Sequence, residues 1–146
     1  AVYIAAIYQP SLFFSRSLTP APGRPWQSYT FFREAGEQDW GMLSAVSLTS
    51  GTLLWQYQVD DPMVGGALAT AGNLVFSGEG NGNFNAFNAA NGKLLWHHRA
   101  AHGVNAPPVT YLAGGRQYIA VAAGGNSIFG YPAGDEILAF RLGGSP

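Results

Sequence analysis

The chain has 146 residues, is 47% hydrophobic and only 10% charged, and carries a net charge of −1 with a single lysine, Lys93. That balance offers no basic surface for nucleic acid, and the absence of cysteine excludes disulfides and thiolate metal sites while fitting any compartment. So apolar a composition in a short chain points to surface that faces other protein.

Residues 2–8 (VYIAAIY) read as the first strand. The chain opens on Ala1-Val2-Tyr3-Ile4 without methionine, as expected of a processed or partial polypeptide. The apolar run 1–8 is far below the roughly 20 residues of a membrane span, and no charged stretch, apolar segment and cleavage site follow one another as in a secretory signal. No membrane span is expected. Residues 15–28, with Pro20, Pro22, Gly23 and Pro25, read as an irregular rim loop anchored by Trp26. Strands are expected next at 29–33, 41–48 and 53–59, and together with 2–8 they form an incomplete unit over 1–60.

A repeat then becomes visible. Ala45-Val46-Ser47-Leu48-Thr49-Ser50-Gly51-Thr52-Leu53-Leu54-Trp55 returns as Ala86-Phe87-Asn88-Ala89-Ala90-Asn91-Gly92-Lys93-Leu94-Leu95-Trp96, and Ala45/Ala86, Gly51/Gly92 and Trp55/Trp96 share one 41-residue offset. A β-propeller blade is about 40–45 residues long and holds four strands. Gly51 and Gly92 suit a turn that needs positive φ before the last strand. Trp55 and Trp96 are expected to be buried in equivalent positions against a neighbouring blade. Leu53-Leu54 and Leu94-Leu95 place apolar groups on both faces of that strand, as in a sheet covered on each side.

Residues 61–101 hold one complete blade, with strands at 65–70, 73–78, 84–88 and 93–99. The glycine-rich stretch from Gly78 to Gly82 looks like a phosphate cradle, but lacks the Gly-Lys-Ser/Thr ending and the following helix, so it reads as a hairpin loop. Residues 102–142 begin a final, incomplete blade with strands at 107–111, 117–122 and 136–141. Residues 143–146 (GGSP) read as a linker or tail. No window shows helical periodicity, and 20 glycines would burden a helix heavily. The fold class is all-β, a partial propeller of two to three four-stranded antiparallel blades. Fewer than three blades cannot close a ring, since propellers typically use 4–8, so the first and last should expose open edges.

The runs Pro62-Met63-Val64-Gly65-Gly66-Ala67-Leu68-Ala69-Thr70-Ala71-Gly72-Asn73-Leu74-Val75-Phe76, Gly103-Val104-Asn105-Ala106-Pro107-Pro108-Val109-Thr110-Tyr111 and Gln117-Tyr118-Ile119-Ala120-Val121-Ala122-Ala123-Gly124-Gly125-Asn126 resemble the C-terminal blades of pyrroloquinoline quinone (PQQ) dependent alcohol dehydrogenases, methanol dehydrogenase among them. The resemblance covers residues 41–142 well and 2–8 loosely. It implies an eight-bladed periplasmic propeller holding PQQ on its axis above calcium or a lanthanide. There an alcohol gives up a hydride to the quinone, an aspartate acts as base, and electrons pass to a cytochrome c. The remaining blades, or another chain, would complete the sheet edges.

The family's metal ligands and base belong to earlier blades and match nothing here, so Asp60, Asp61, Glu79, Asp135 and Glu136 are not nominated as catalysts. Cofactor contacts carry over at Val64, Gly65, Asn105, Ala106, Gly125 and Asn126. In methanol dehydrogenase a Trp stands where this chain has Val64 and another where it has Asn126, so the indole donor at the first position is replaced by an apolar side chain. The alternative for each of these positions is a loop residue that only satisfies its turn.

Other chemical patterns are weaker. Adjacent strand residues point to opposite faces, so His97 and His98, with His102 nearby, do not make a natural metal cluster. Ser44, Ser47, Ser77 and Ser127 sit in no nucleophile motif. Two readings stand: part of a PQQ-dependent alcohol dehydrogenase, or a noncatalytic scaffold or binding propeller of the same repeat family. The axial loops 62–66, 103–108 and 123–126 favour the first.

Overall fold

A computed structural model describes residues 1–15, 17, 19, 21–23, 29–141 and 143. They form twelve antiparallel strands: β1 (Val2–Tyr8), β2 (Ser11–Ser15), β3 (Tyr29–Arg33), β4 (Trp40–Val46), β5 (Leu53–Val59), β6 (Ala67–Ala69), β7 (Leu74–Gly78), β8 (Asn83–Asn88), β9 (Leu94–Arg99), β10 (Val109–Ala113), β11 (Arg116–Ala123) and β12 (Glu136–Arg141). The central sheet is complete, in the order β6-β7-β8-β9, and is flanked by three-stranded sheets β1-β4-β5 and β10-β11-β12. The architecture is that of a partial, unclosed propeller.

The repeat extends to individual hydrogen bonds. Gly51 N–H donates to Ser47 O and Ser47 N–H to Thr52 O, each at 2.9 Å, and 41 residues later Gly92 donates to Asn88 O and Asn88 to Lys93 O at the same distances. Gly51 and Gly92 have φ of 70° and 71°, as a turn of this hand demands. Even the register irregularity recurs, between Ala45 and Val46 in one copy and Ala86 and Phe87 in the other. Such a bulge increases local twist, which suits sheets that must splay outward from an axis.

Alternation along the central strands gives the middle sheet two apolar faces. Val75 and Phe87 pack with Leu43, Ala45, Trp55, Val59 and Met63 against the first sheet. Phe76, Phe84 and Ala86 pack with Val104, Ile119, Val121 and Ala123 against the third. Phe84 and Phe87 are fully buried, so each would cost about 3–5 kcal/mol to truncate.

Three expectations need correction. The strand at 29–33 does not join the first blade but pairs with β2 in a separate hairpin inserted between β1 and β4, so Ser15 belongs to a strand rather than to a loop. Much of the expected loop 15–28, Trp26 included, lies outside the described residues. Leu53, Leu54 and Leu95 are half exposed instead of covered on both faces, because β5 and β9 are the outer strands of their sheets.

The third concerns the two tryptophans. Trp55 is buried at 8% exposure, whereas Trp96 remains 40% exposed. Trp55 lies against Gly92, where a Cβ would come within 2.6 Å of its ring, and its Nε1–H donates to Ala89 O at 2.9 Å. The Ala89–Gly92 turn of the next blade therefore caps it. Trp96 meets the matching Phe140, but the position following β12 that corresponds to Ala89 is residue 142, outside the described residues.

Candidate functional site

Antiparallel pairing puts the connections 60–66, 79–82, 100–108 and 124–135 at one end of the sheets, since Ala67 pairs with Ser77, Gly78 with Phe84, Asn83 with Arg99 and Ala123 with Glu136. The turns 70–73 and 89–92 lie at the other end. All six sequence-predicted site residues fall on the first set.

These loops touch. A Cβ on Gly65 would stand 3.3 Å from the carbonyl carbon and oxygen of Asn105 and 3.5 Å from Ala106 O, so the backbones of 65 and 105–106 run in contact. Gly125 N–H donates to Gly103 O at 2.9 Å, and Gly103 N–H to Pro132 O at 3.1 Å. Gly125 has φ of 71°, and a Cβ there would strike Pro132 O at 2.1 Å, which reserves the position for glycine on two grounds. Val64 is half-buried beside the buried Met63.

The two asparagines differ. Asn126 Oδ1 accepts from Ile128 N–H at 3.0 Å and its carbonyl from Tyr131 N–H at 2.9 Å, so this residue shapes its own turn. Asn105 has both Nδ2 and Oδ1 buried without a hydrogen-bond partner among the described residues. Leaving buried amide atoms unpaired costs about 1–3 kcal/mol each.

Sequence reasoning missed two features behind these loops. Glu79 is 4% exposed, yet its Oε2 accepts from Asn81 Nδ2 at 3.0 Å and Asn83 Nδ2 at 3.2 Å, while Oε1 accepts from Asn85 Nδ2. The signal was the spacing of Glu79, Asn81, Asn83 and Asn85, every second residue from the β7–β8 turn into β8. Its carbonyl accepts from Gly82 N–H and from Val104 N–H, which ties this network to the neighbour of Asn105. The nearby Tyr57 phenol is pushed up by burial and then by the Glu79 carboxylate. The second missed residue is Tyr131, whose hydroxyl donates to Pro62 O at 3.0 Å. Burial, followed by Asp61, raises its phenol to about 12, with Asp39 adding to the shift and Arg33 opposing it.

The histidines do not converge. His98 stacks on Trp96 with ring centres 6.2 Å apart and meets Phe140 edge-on at 5.1 Å, and His102 Nδ1 lies 3.3 Å from Glu136 Oε2 without hydrogen-bond geometry. Among the described residues no three His, Asp or Glu side chains gather as a metal site. The glycine-rich stretch is a hairpin loop between β7 and β8. No helix among the described residues is long and apolar enough to cross a membrane.

Residues 31–119, more than half of the chain, match the family described as PQQ: glucose/ethanol/alcohol dehydrogenase, beta-propeller domain. The chain belongs to this quinoprotein propeller family. It is 44% identical over 84 residues to the quinoprotein ethanol dehydrogenase of Pseudomonas aeruginosa, covering 58% of this chain and 14% of that protein. It is 33% identical over 123 residues to the quinoprotein glucose dehydrogenase of Escherichia coli, covering 70% of this chain and 16% of that one. The solved quinohemoprotein alcohol dehydrogenase of Comamonas testosteroni superposes with a TM-score of 0.79 and 29% identity over 99% of this chain and 24% of its own. The chain thus spans less than a quarter of the length of each.

Proposed function

We propose that this chain is a segment of a periplasmic PQQ-dependent alcohol dehydrogenase, supplying late propeller blades and one wall of the quinone site. The observation that carries the reading is that the loops holding Gly65, Asn105–Ala106 and Gly125–Asn126 meet at one end of the sheets, where the Asn105 amide has no hydrogen-bond partner among the described residues.

The residues present fit the quinone's periphery. Asn105 can donate from Nδ2 and accept at Oδ1, which suits a planar ligand rimmed with carbonyl and carboxylate oxygens. Val64 contributes an apolar surface, and the glycines at 65 and 125 let backbone approach closely. PQQ, when bound, supplies the acceptor for the two electrons of an alcohol's oxidation to an aldehyde or ketone. The share of this chain is to orient that group and exclude water from its edge. The calcium or lanthanide ligands and the catalytic base are assigned to blades outside this sequence, and a cytochrome c is the expected electron acceptor.

The test compares the isolated chain with a complete dehydrogenase carrying it, each given PQQ, calcium, ethanol and a dye acceptor. Only the complete protein should reduce the dye, and replacing Asn126 in it should weaken PQQ retention. Turnover by the isolated chain would mean that the base lies within it. A complete protein that neither binds PQQ nor reduces the dye would favour the noncatalytic scaffold.

A further inference from the structure

Tyr131 belongs to neither hydrophobic core and lies on none of the twelve strands, yet it reaches every loop at the candidate site. Its hydroxyl donates to Pro62 O at 3.0 Å, two residues before Val64. Its ring covers Gly80 so closely that a Cβ there would lie 2.3 Å from Cζ, and a Cβ on Gly103 would lie 3.1 Å from the Tyr131 Cβ. Its own N–H donates to Asn126 O at 2.9 Å. Phe129 stacks beside it with ring centres 5.7 Å apart.

We propose that Tyr131 is the positioning residue of the quinone wall: one side chain fixes the spacing between the loops that carry Val64, Asn105 and Asn126. The inference rests on the reading of those loops as a cofactor wall. A ring that only filled a core would contact side chains of packed strands. Tyr131 instead contacts backbone of loops from three different sheets: backbone hydrogen bonds already join 79–82, 100–108 and 124–135, and the Tyr131 hydroxyl ties Pro62 of 60–66 to them. Its loss would therefore let the Asn105 amide drift relative to Val64 while leaving both cores packed. Placement errors of this size matter for a ligand recognised by a few fixed polar atoms.

The experiment measures PQQ affinity by equilibrium dialysis in a complete dehydrogenase carrying this sequence, as wild type, Tyr131→Phe, Asn105→Ala and the double variant, with a melting curve for each. Tyr131→Phe keeps the ring but loses the hydroxyl bond, and should weaken binding roughly five-fold with little change in Tm. The double variant should bind less weakly than the product of the two single losses, because a misplaced Asn105 has less to lose. Gly80→Ala, which pushes the ring off its seat without altering Tyr131, should reproduce the loss. Wild-type affinity in both Tyr131→Phe and Gly80→Ala, or losses that multiply independently with Asn105→Ala, would overturn the positioning role while leaving the cofactor wall standing. A wild-type protein that binds no PQQ would instead remove the wall itself, and this inference with it.

Discussion

The Trp96 ring meets Phe140 nearly edge-on with centres 5.0 Å apart, in the place where Trp55 meets Phe87 one sheet earlier. The pairs are equivalent in sequence but, among the described residues, not in cover, since Trp55 also has the Ala89 carbonyl and the Gly92 turn. Trp55→Ala should therefore cost about 3–5 kcal/mol and Trp96→Ala clearly less. Urea unfolding of the two variants checks the order, and equal losses would contradict it.

Glu79 is an acceptor for three amide donors inside the β7–β8 hairpin. Glu79→Gln keeps the shape but turns one acceptor into a donor facing other donors, so at least one amide loses its partner. A loss of about 1–3 kcal/mol is expected. Glu79→Gln that unfolds at the wild-type denaturant midpoint would show that the network is not needed.

Alkaline stability should report on Tyr131. The phenol titrates near 10 when unfolded but near 12 in the folded chain, so between these values the unfolded state has released a proton that the folded state retains. Rising pH then favours unfolding, with the loss developing from about pH 10 and complete past about pH 12. Tyr131→Phe should flatten this part of the curve in a series of thermal melts across that range. An unchanged alkaline slope would assign the loss to other groups.

Among the described residues the two incomplete sheets leave unpaired the edge of β1, with Val2, Ile4 and Ile7 exposed, and that of β12, with Ile137 exposed. Unpaired strand edges lined with apolar groups seek a partner. The isolated chain is expected to associate, and light scattering would detect it. A stable monomer of 15.4 kDa in dilute solution would refute this.

The strand pattern of 61–101 was legible because turn glycines and alternating apolar residues are local signals. β2 was not, because Ser11–Ser15 adjoins a proline-rich stretch, and its partner Tyr29–Arg33 could equally have joined the first blade. The motifs picked out the loops that carry Val64, Asn105 and Asn126, but not how differently the two asparagines are bonded. Nothing local distinguishes an asparagine that caps its own turn, as Asn126 does, from one left without a partner among the described residues, as Asn105 is. Tyr131 was invisible for a similar reason: its partners Pro62, Gly80 and Gly103 are brought to it by the stacking of three sheets.

The contact between Trp55 and the Ala89–Gly92 turn has a polarity. One sheet presents the indole and the next presents the socket, so the two sides of the junction are different surfaces. Units joined this way meet head to tail, in the heterologous mode that yields a ring when the rotation per unit closes and a spiral when it does not. Swapping two neighbouring units would preserve every junction that carries both parts, whereas inverting one would break two. A protein built on this joint can thus lengthen or shorten by whole units, but it cannot reverse the order in which they face.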